Sequence, residues 1–518
     1  MMDGDYKPTE PLSRLSSRQS SQDSYPSSSS PNLSRQSSQT SSSSIDSTEH
    51  SLYQRLKRKV IENADTGDFL PRGAIAEIIT VETIEAQFPW YNIFKVRSSC
   101  SSDQVVQQAK GVLAILGLCE KESDIWNLFN EGKGLTDDHL PLELRANGLS
   151  NVLVSRGGRE FKSFLSWKDI EIECFFKKQW LVLAPVLEVR GQHIPMGGEV
   201  PLPFYDMKVV SHGFTSTVYK GRLPASHVIP KANNDPRIAI KRYGLEEYFE
   251  REKDNLENIQ KLDHPHLIQH IATIQKGNSF YAILYWADGG NLCDFWERNP
   301  DFFLTRRSGL FIWCFQQMLG LVEGLFALHE KGCRHGDLKP ENILHFQNSD
   351  DPKIHHGEYG TLIIADVGIS RVHHIVTELR HDRTKTYDTT RSYEGPEAET
   401  GGDKPRSRRY DMWSVGCIFM EFAIWLLYGY KAINAFRERR KEFSPKAAYY
   451  EFTNPTVKIN PAVEAELKAL RNDAPCTGLT ELVDLIANDL IVIEPKDRAE
   501  AGALRDKFRQ IWRKVTPG

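Results

Sequence analysis

Apolar residues are sparse in the first 50 positions, where Ser, Thr, Gln and Pro fill runs such as SSRQSSQDSYPSSSS and SRQSSQTSSSS. Such a stretch buries too little apolar surface to offset the entropy of ordering, so a disordered Ser-rich tail is expected over 1–50. Its Arg-Gln-Ser steps are candidate phosphoacceptor sites. From Ser51 the pattern changes. SLYQRLKRKVIENA places Leu52, Leu56, Val60 and Ile61 at helical spacing, and GAIAEIITVETIEAQF, VVQQAKGVLAILGLC and ESDIWNLFN continue the theme. FLSWKDIEIECFFKKQWLVLAPVLE at 164–188 mixes apolar runs with charges. A mainly helical region over 51–195 follows. It offers no nucleophile, metal-ligand cluster or glycine loop, and reads as a regulatory or docking module.

PMGGEVPLP at 195–203 is rich in Pro and Gly and marks a boundary. KVVSHGFTSTVYKGRL then predicts strand, turn and strand, and RIAIKRY at 237–243 a further strand. A charged helix over about 244–262 precedes strands near 267–274 and 279–286, and helices dominate beyond 304. The fold class is α+β: a small β-rich lobe, then a large helical lobe.

Composition narrows the functions. Lys and Arg number 65 against 69 Asp and Glu, a net charge of −4, which gives no support to a nucleic-acid or membrane partner. Basic runs at 55–59 and 437–441 read as solvated helix faces. Eight cysteines, none in a CxxC pair, read as buried thiols in a reducing compartment rather than a zinc site. No charged-then-apolar leader opens the chain. Its most apolar stretch, IFMEFAIWLLYGY, is shorter than the roughly 20 residues of a membrane helix and contains Glu421. An intracellular protein of the cytoplasm or nucleus is expected.

The chemistry begins at HGDLKPENIL, 335–344, where Asp337, Lys339 and Asn342 stand at fixed offsets between apolar segments. Phosphoryl transfer needs a carboxylate to take the proton of the attacking hydroxyl, a cation near the transferring phosphate and an oxygen ligand for Mg²⁺. These three residues supply those roles. TLIIADVGIS at 361–370 ends an apolar strand in Asp366-Val367-Gly368, and an Asp there reaches a metal bridging nucleotide phosphates. IAIK at 238–241 ends a strand in Lys241.

Ile-Ala-Ile-Lys, then Asp-Leu-Lys-Pro-Glu-Asn, then Asp-Val-Gly, in this order along the lobes, resemble the eukaryotic protein kinase superfamily over about 204–515. Lys339 resembles the Ser/Thr type. The resemblance implies the bilobal kinase fold and ATP with Mg²⁺ as cofactors. It implies Lys241 on the α- and β-phosphates and Ala239 lining the adenine pocket. Lys241 then needs an acidic partner on the following helix, either Glu252 or Glu250; Glu252 fits best, because Phe249, Leu256 and Ile259 share its broad face. Leu284 becomes the gatekeeper, Tyr285 and Ala287 the backbone partners of adenine, and Leu344 the floor beneath it. Asp366 and Asn342 become the metal ligands. Thr390 bonds the catalytic Asp and Lys, Asp411 holds the catalytic loop, and Arg498 pairs with Glu397 of Gly-Pro-Glu. The segment Gln179 to Val186 before the domain resembles a group of filamentous-fungal kinases.

Three departures stand out. The phosphate-covering loop reads Ser211-His212-Gly213-Phe214-Thr215-Ser216-Thr217-Val218 and keeps only the central glycine of three. The 24-residue step from Asn342 to Asp366 is long, and the polar NSDDPKIHHGEYG within it reads as a surface loop. Gly336 stands where the family has an Arg that meets an activation-segment phosphate. Activity is therefore expected not to need phosphorylation of Thr377, Thr384, Thr386, Thr389 or Thr390, with Arg334 the neighbouring candidate substitute. The reading is a phosphotransferase from ATP to Ser or Thr of protein substrates. Against it stand a pseudokinase scaffold, which the eroded glycine loop favours, and a small-molecule kinase, which Gly-Pro-Glu with Arg498 disfavours. Oligomeric state is open.

Overall fold

The computed structural model describes residues 51–88 and 101–515, apart from 133, 148–149, 214, 300–307, 355–356, 367–390, 401–405 and 454–455. The tail over 1–50 lies outside the described residues, as do Phe214, Val367, Gly368, Thr377, Thr384, Thr386, Thr389 and Thr390.

The N-terminal region forms seven helices among the described residues: α1 (Leu52–Lys57), α2 (Arg72–Ile78), α3 (Val81–Gln87), α4 (Ser102–Gln108), α5 (Lys110–Leu118), α6 (Ile125–Asn130) and α7 (Asp169–Lys178). A hairpin of β1 (Glu143–Asn147) and β2 (Ser150–Val154) interrupts them. KGVLAILGL of α5 is apolar all round because it is buried from Gly111 to Leu118. Its Gly117 lets α1 approach: a Cβ there would lie 2.9 Å from Leu52 and Leu56. Asp137 accepts the otherwise orphaned N–H groups of Gly111 and Val112, both at 2.9 Å. The side chain of Gln179 bonds both the N–H and the carbonyl of Leu142, at 2.7 and 2.9 Å. That gives the Gln-Trp-Leu segment a structural job its chemistry alone did not reveal.

Next come β3 (Leu187–Glu188), β4 (Gln192–Met196), β5 (Tyr205–His212), β6 (Ser216–Arg222), β7 (Val228–Ile229), β8 (Arg237–Tyr243), α8 (Glu246–Gln260), β9 (His270–Lys276) and β10 (Ser279–Tyr285). The small-lobe sheet runs β4-β9-β10-β8-β6-β5, antiparallel except for β4 on β9. Residues 192–196 thus belong to this sheet, although the sequence reading placed 192–195 with the helical region and Met196 in the Pro/Gly boundary; a five-residue strand gives too short a period-two signal to read. The large lobe holds α9 (Leu292–Arg298), α10 (Ser308–Glu330), β11 (Ile343–Phe346), β12 (Thr361–Ile364), α11 (Arg409–Tyr428), α12 (Tyr430–Lys441), β13 (Tyr450–Thr453), β14 (Thr456–Ile459), α13 (Pro461–Asp473), α14 (Thr477–Leu485) and α15 (Ala501–Val515). Two apolar cores result, one within 52–182 and one spanning 187–511.

The helices α10 and α11 are each long and apolar enough to cross a membrane, which the stretch 418–430 alone was not. Burial inside the lobe accounts for their composition instead: α11 is covered from Tyr410 to Leu427. Its Glu421 accepts hydrogen bonds from Tyr393 Oη at 2.7 Å and Tyr449 Oη at 3.0 Å and faces Arg440, which lies between the rings of Phe436 and Tyr449.

Burial depresses the imidazoles of His227, His264, His266 and His345, and holds His270 furthest down, at about 4. An unfolded histidine titrates near 6.5. Between those values the unfolded chain binds a proton the folded chain refuses, so stability falls as pH drops from 6.5 towards 4. His270 alone contributes roughly 3 kcal/mol to that fall. Thermal melts across this window should show a smaller loss for His270→Gln than for the wild type; parallel curves would refute the assignment.

Candidate phosphoryl-transfer site

The loop from His335 to Asn342 is fixed by a buried carboxylate. Asp411, in the first turn of α11, accepts the N–H of His335 at 2.9 Å, the N–H of Gly336 at 2.8 Å and His329 Nε2 at 2.8 Å. Burial alone would raise this carboxyl, but the hydrogen bond and charge of His329 and the groups of the loop outweigh it and hold it below the usual range. Gly336 sits at φ +81°, a conformation a residue with Cβ adopts only under strain. The glycine that departs from the family pattern is therefore the residue best suited to this backbone. His335, also buried, accepts from Asp337 N–H through Nδ1 and donates through Nε2 to Ala365 O at 2.9 Å. That bond ties the loop to the residue before Asp366. Sequence reading passed over His335 and His329, because lone histidines carry no signal without the fold.

Within the loop, Lys339 Nζ donates to Asp337 Oδ2 at 3.1 Å, and Asn342 Nδ2 donates to Asp337 O at 2.7 Å and Oδ2 at 3.2 Å. On the opposite wall Lys241 Nζ meets Glu252 Oε1 at 3.2 Å and Asp366 Oδ1 at 2.9 Å. Glu252 is thus the helix residue that reaches Lys241; Glu250 pairs with Lys253 instead. Burial would lower the Lys241 ammonium, but Asp366 and Glu252 reverse that and hold it well above its ordinary value. Lys241 holds Asp366 below the usual carboxylate range, whereas burial, reinforced by Asp366, pushes Glu252 up. Asp366 also stands at φ +56° and leaves about half of its side chain open.

The cleft roof follows from strand register. Val218 lies opposite Lys241, Leu284 opposite Ala239, and Ala282 opposite Lys241, so Val218, Ala239, Lys241, Ala282 and Leu284 share one face. Ser211 pairs with Val218 in the hairpin, whose turn closes with Gly213 N–H on Ser216 O at 2.8 Å. Tyr285 ends β10, Ala287 follows in the connector, and Leu344 lies in β11 opposite Ile363. Asn342 and Asp366 offer oxygen donors only, with one carboxylate, which is the donor set Mg²⁺ takes when nucleotide phosphates complete its shell. Among the described residues no group of three or more His, Cys, Asp or Glu gathers as an independent metal cage.

The long step after Asn342 is not a free surface loop. Ser349, Asp351 and Ile354 are buried. Asp288 of the connector accepts the N–H of Gln347 at 2.9 Å and of Asn348 at 2.8 Å. Asp350 accepts Arg237 N–H and Nε at 3.0 and 2.8 Å, and Lys353 pairs with Asp263 at 2.6 Å. Polar composition concealed this, because exposed ion pairs share the anchoring with two scattered apolar residues, Ile354 and Tyr359, that pack on the large core. Further along, Arg498 donates to both oxygens of Glu397 at 2.7 and 2.8 Å and also to Val492 O and Ile493 O.

A small sheet with a helical lobe, an ionic Lys–Glu–Asp group on one wall and an Asp–Lys–Asn loop on the other, is the arrangement of a protein kinase domain. The family model of the protein kinase domain matches residues 207–504, and the chain belongs to the protein kinase family. It is 28% identical over 236 residues to the serine/threonine-protein kinase AtPK1/AtPK6 of Arabidopsis thaliana, covering 45% of this chain and 44% of that one. It is 29% identical over 268 residues to the serine/threonine-protein kinase srk1 of Schizosaccharomyces pombe, covering 45% and 43%. Human 3-phosphoinositide-dependent protein kinase 1 is 29% identical over 231 residues, covering 44% and 36%. The match spans less than half the length of each of these relatives.

Replacing Arg498 by Met leaves Glu397 without its cationic partner, and breaking a largely buried pair costs roughly 3–5 kcal/mol. Urea unfolding of Arg498→Met should show a loss of that order, and a loss below about 1 kcal/mol would mean that the pair is dispensable.

Proposed function

We propose that the chain is a Ser/Thr protein kinase that moves the γ-phosphate of ATP to hydroxyls of protein substrates. The observation that carries this reading is the pairing of Lys241 with both Glu252 and Asp366, across the cleft from an intact Asp337–Lys339–Asn342 loop. Asp337 orients the substrate hydroxyl and takes its proton. Lys339, already on Asp337 Oδ2, places its charge beside the moving phosphoryl group. Lys241 holds the α- and β-phosphates, and Glu252 keeps Lys241 from swinging out of the cleft. Ala239, Val218, Leu284 and Leu344 enclose adenine, with the backbones of Tyr285 and Ala287 as its polar partners and Ser211 and Gly213 over the phosphates. Asn342 and Asp366 hold Mg²⁺, which neutralises phosphate charge when bound. Most of the acceleration comes from positioning and fixed charge.

Residues 204–515 form the catalytic domain in this reading, and 51–195 a regulatory region. The Glu397–Arg498 pair supports a protein substrate, because it fixes the Gly-Pro-Glu segment. Lys339 and the serine/threonine-protein kinases among the relatives support Ser/Thr specificity. An intracellular setting, cytoplasm or nucleus, supplies the ATP.

Labelling of a generic substrate with Mg-ATP tests the reading. Asp337→Asn and Lys241→Ala should each lower the rate at least about hundredfold. Phosphoamino-acid analysis should return phosphoserine and phosphothreonine. Equal signal from wild type and both variants would leave a pseudokinase scaffold in place of the enzyme.

Gly336 brings no guanidinium to the activation segment, and Arg334 donates to Arg406 O at 2.8 Å near the ring of Tyr410. Treatment with a phosphatase should therefore leave activity within about twofold of the untreated enzyme. Abolition of activity would show that an activation-segment phosphate is required after all.

A further inference from the structure

The sheet of the small lobe would end at β9 if residues 192–196 were taken away, leaving a row of unpaired backbone groups beside α8. Instead β4 pairs with β9 over its whole length, from Gln192 opposite Ala272 to Met196 opposite Lys276. Both ends of β9 are clasped by chain that comes from the N-terminal region. At its start, Gly191 N–H donates to Ile271 O at 3.1 Å, and Gly191 O accepts His270 Nε2 at 2.9 Å. At its end, Lys276 Nζ donates to Thr66 O at 2.9 Å, and the N–H of Gly277 donates to Met196 O at 3.1 Å.

These contacts continue into α8. Gln260, the last residue of that helix, accepts the N–H of His270 at 3.1 Å. Gly191 stands at φ +71°, and a Cβ there would lie 2.7 Å from His270 and 3.0 Å from Gln260, so only glycine fits between them. His193 is anchored on Thr273 Oγ1 at 3.1 Å, and its ring lies 5.8 Å from that of Phe249. Phe249 is fully buried and three residues before Glu252, on the same face of α8. It also packs on Tyr243 and Phe280 of the sheet.

The helical region that leads into the brace is itself bonded to the small lobe. Leu202 N–H donates to Thr66 O at 3.1 Å. His227 of the small lobe lies between Pro185 O at 2.8 Å and the N–H of Arg72 at 3.0 Å.

We propose that residues 187–196, carried by the N-terminal region, brace α8 so that Glu252 is held on Lys241 by the chain's own extension, which makes that region an intramolecular activator. The inference rests on the reading of Lys241 and Glu252 as the nucleotide-holding pair. A module of the inhibitory kind would instead raise activity when loosened. His193 and Gly191 are positioning residues, since they act on Glu252 only through Phe249, His270 and Gln260.

The test uses full-length protein carrying His193→Ala, His193→Phe or Gly191→Val. Three readouts are followed: hydrogen exchange of amides 246–260, affinity for a fluorescent ATP analogue, and kcat and KM for ATP. Loss of the His193 ring should speed exchange over 246–260 by roughly three- to tenfold and weaken nucleotide binding by a similar factor. Amides of 409–428 should exchange as in the wild type, and His193→Phe should restore most of both effects. Gly191→Val should exceed His193→Ala if it folds; the His193 pair decides the question if it does not. Unchanged exchange over 246–260 in His193→Ala, or a rise in activity, overturns the proposal. If the wild type transfers no phosphate, the exchange and binding readouts still decide the brace, while only the catalytic reading fails.

Discussion

Asp411 is a carboxylate sealed from water in the first turn of a helix that is itself covered from Tyr410 to Leu427. Such a charge is tolerated only when its lone pairs are filled, and here two loop N–H groups and His329 fill them. The loop from His335 to Asn342 thereby inherits the rigidity of the large-lobe core. Asp337 follows directly from the pinned Gly336, and His335 carries the restraint on to Ala365 and so to Asp366. The loop wall of the cleft, and through Ala365 the Asp366 of the other wall, trace back to this one buried group.

Much of the candidate site is legible in the chain because phosphoryl transfer demands particular groups at particular offsets. The strand ending in Lys241 runs over Arg237–Tyr243, as its apolar alternation implies, and the helix after it places Glu252 on its buried face. The Glu397–Arg498 pair spans 101 residues, yet both partners can be named from the string. What escaped was long-range and polar. Nothing local in NSDDPKIHHGEYG tells that Asp350 will meet Arg237, more than a hundred residues earlier, and nothing in Gln-Trp-Leu tells that Gln179 will satisfy the backbone of Leu142. Periodicity reports which face is buried; it is silent about which polar atoms meet.

The boundary near 195–204 illustrates the same limit. Pro and Gly do mark a change of direction there, but the chain has already entered the small-lobe sheet through Gln192–Met196. A parallel edge strand is built by its neighbour as much as by its own sequence. The N-terminal core and the kinase-domain core are distinct in their apolar contacts and joined by polar ones: His227, Thr66, Asn63 and Lys276 each bond across the seam.

The folded-back segment after β11 has a mechanical consequence. Asp288 sits on the strip of chain about which the lobes would swing, and it is stapled to residues 347 and 348, while Arg237 and Asp263 of the upper lobe are held by Asp350 and Lys353 below. The pivot is thus doubled by a second, ionic ligament behind it. Any movement of one lobe against the other would have to lengthen these ion pairs as well as shift the connector, a resistance that added salt weakens.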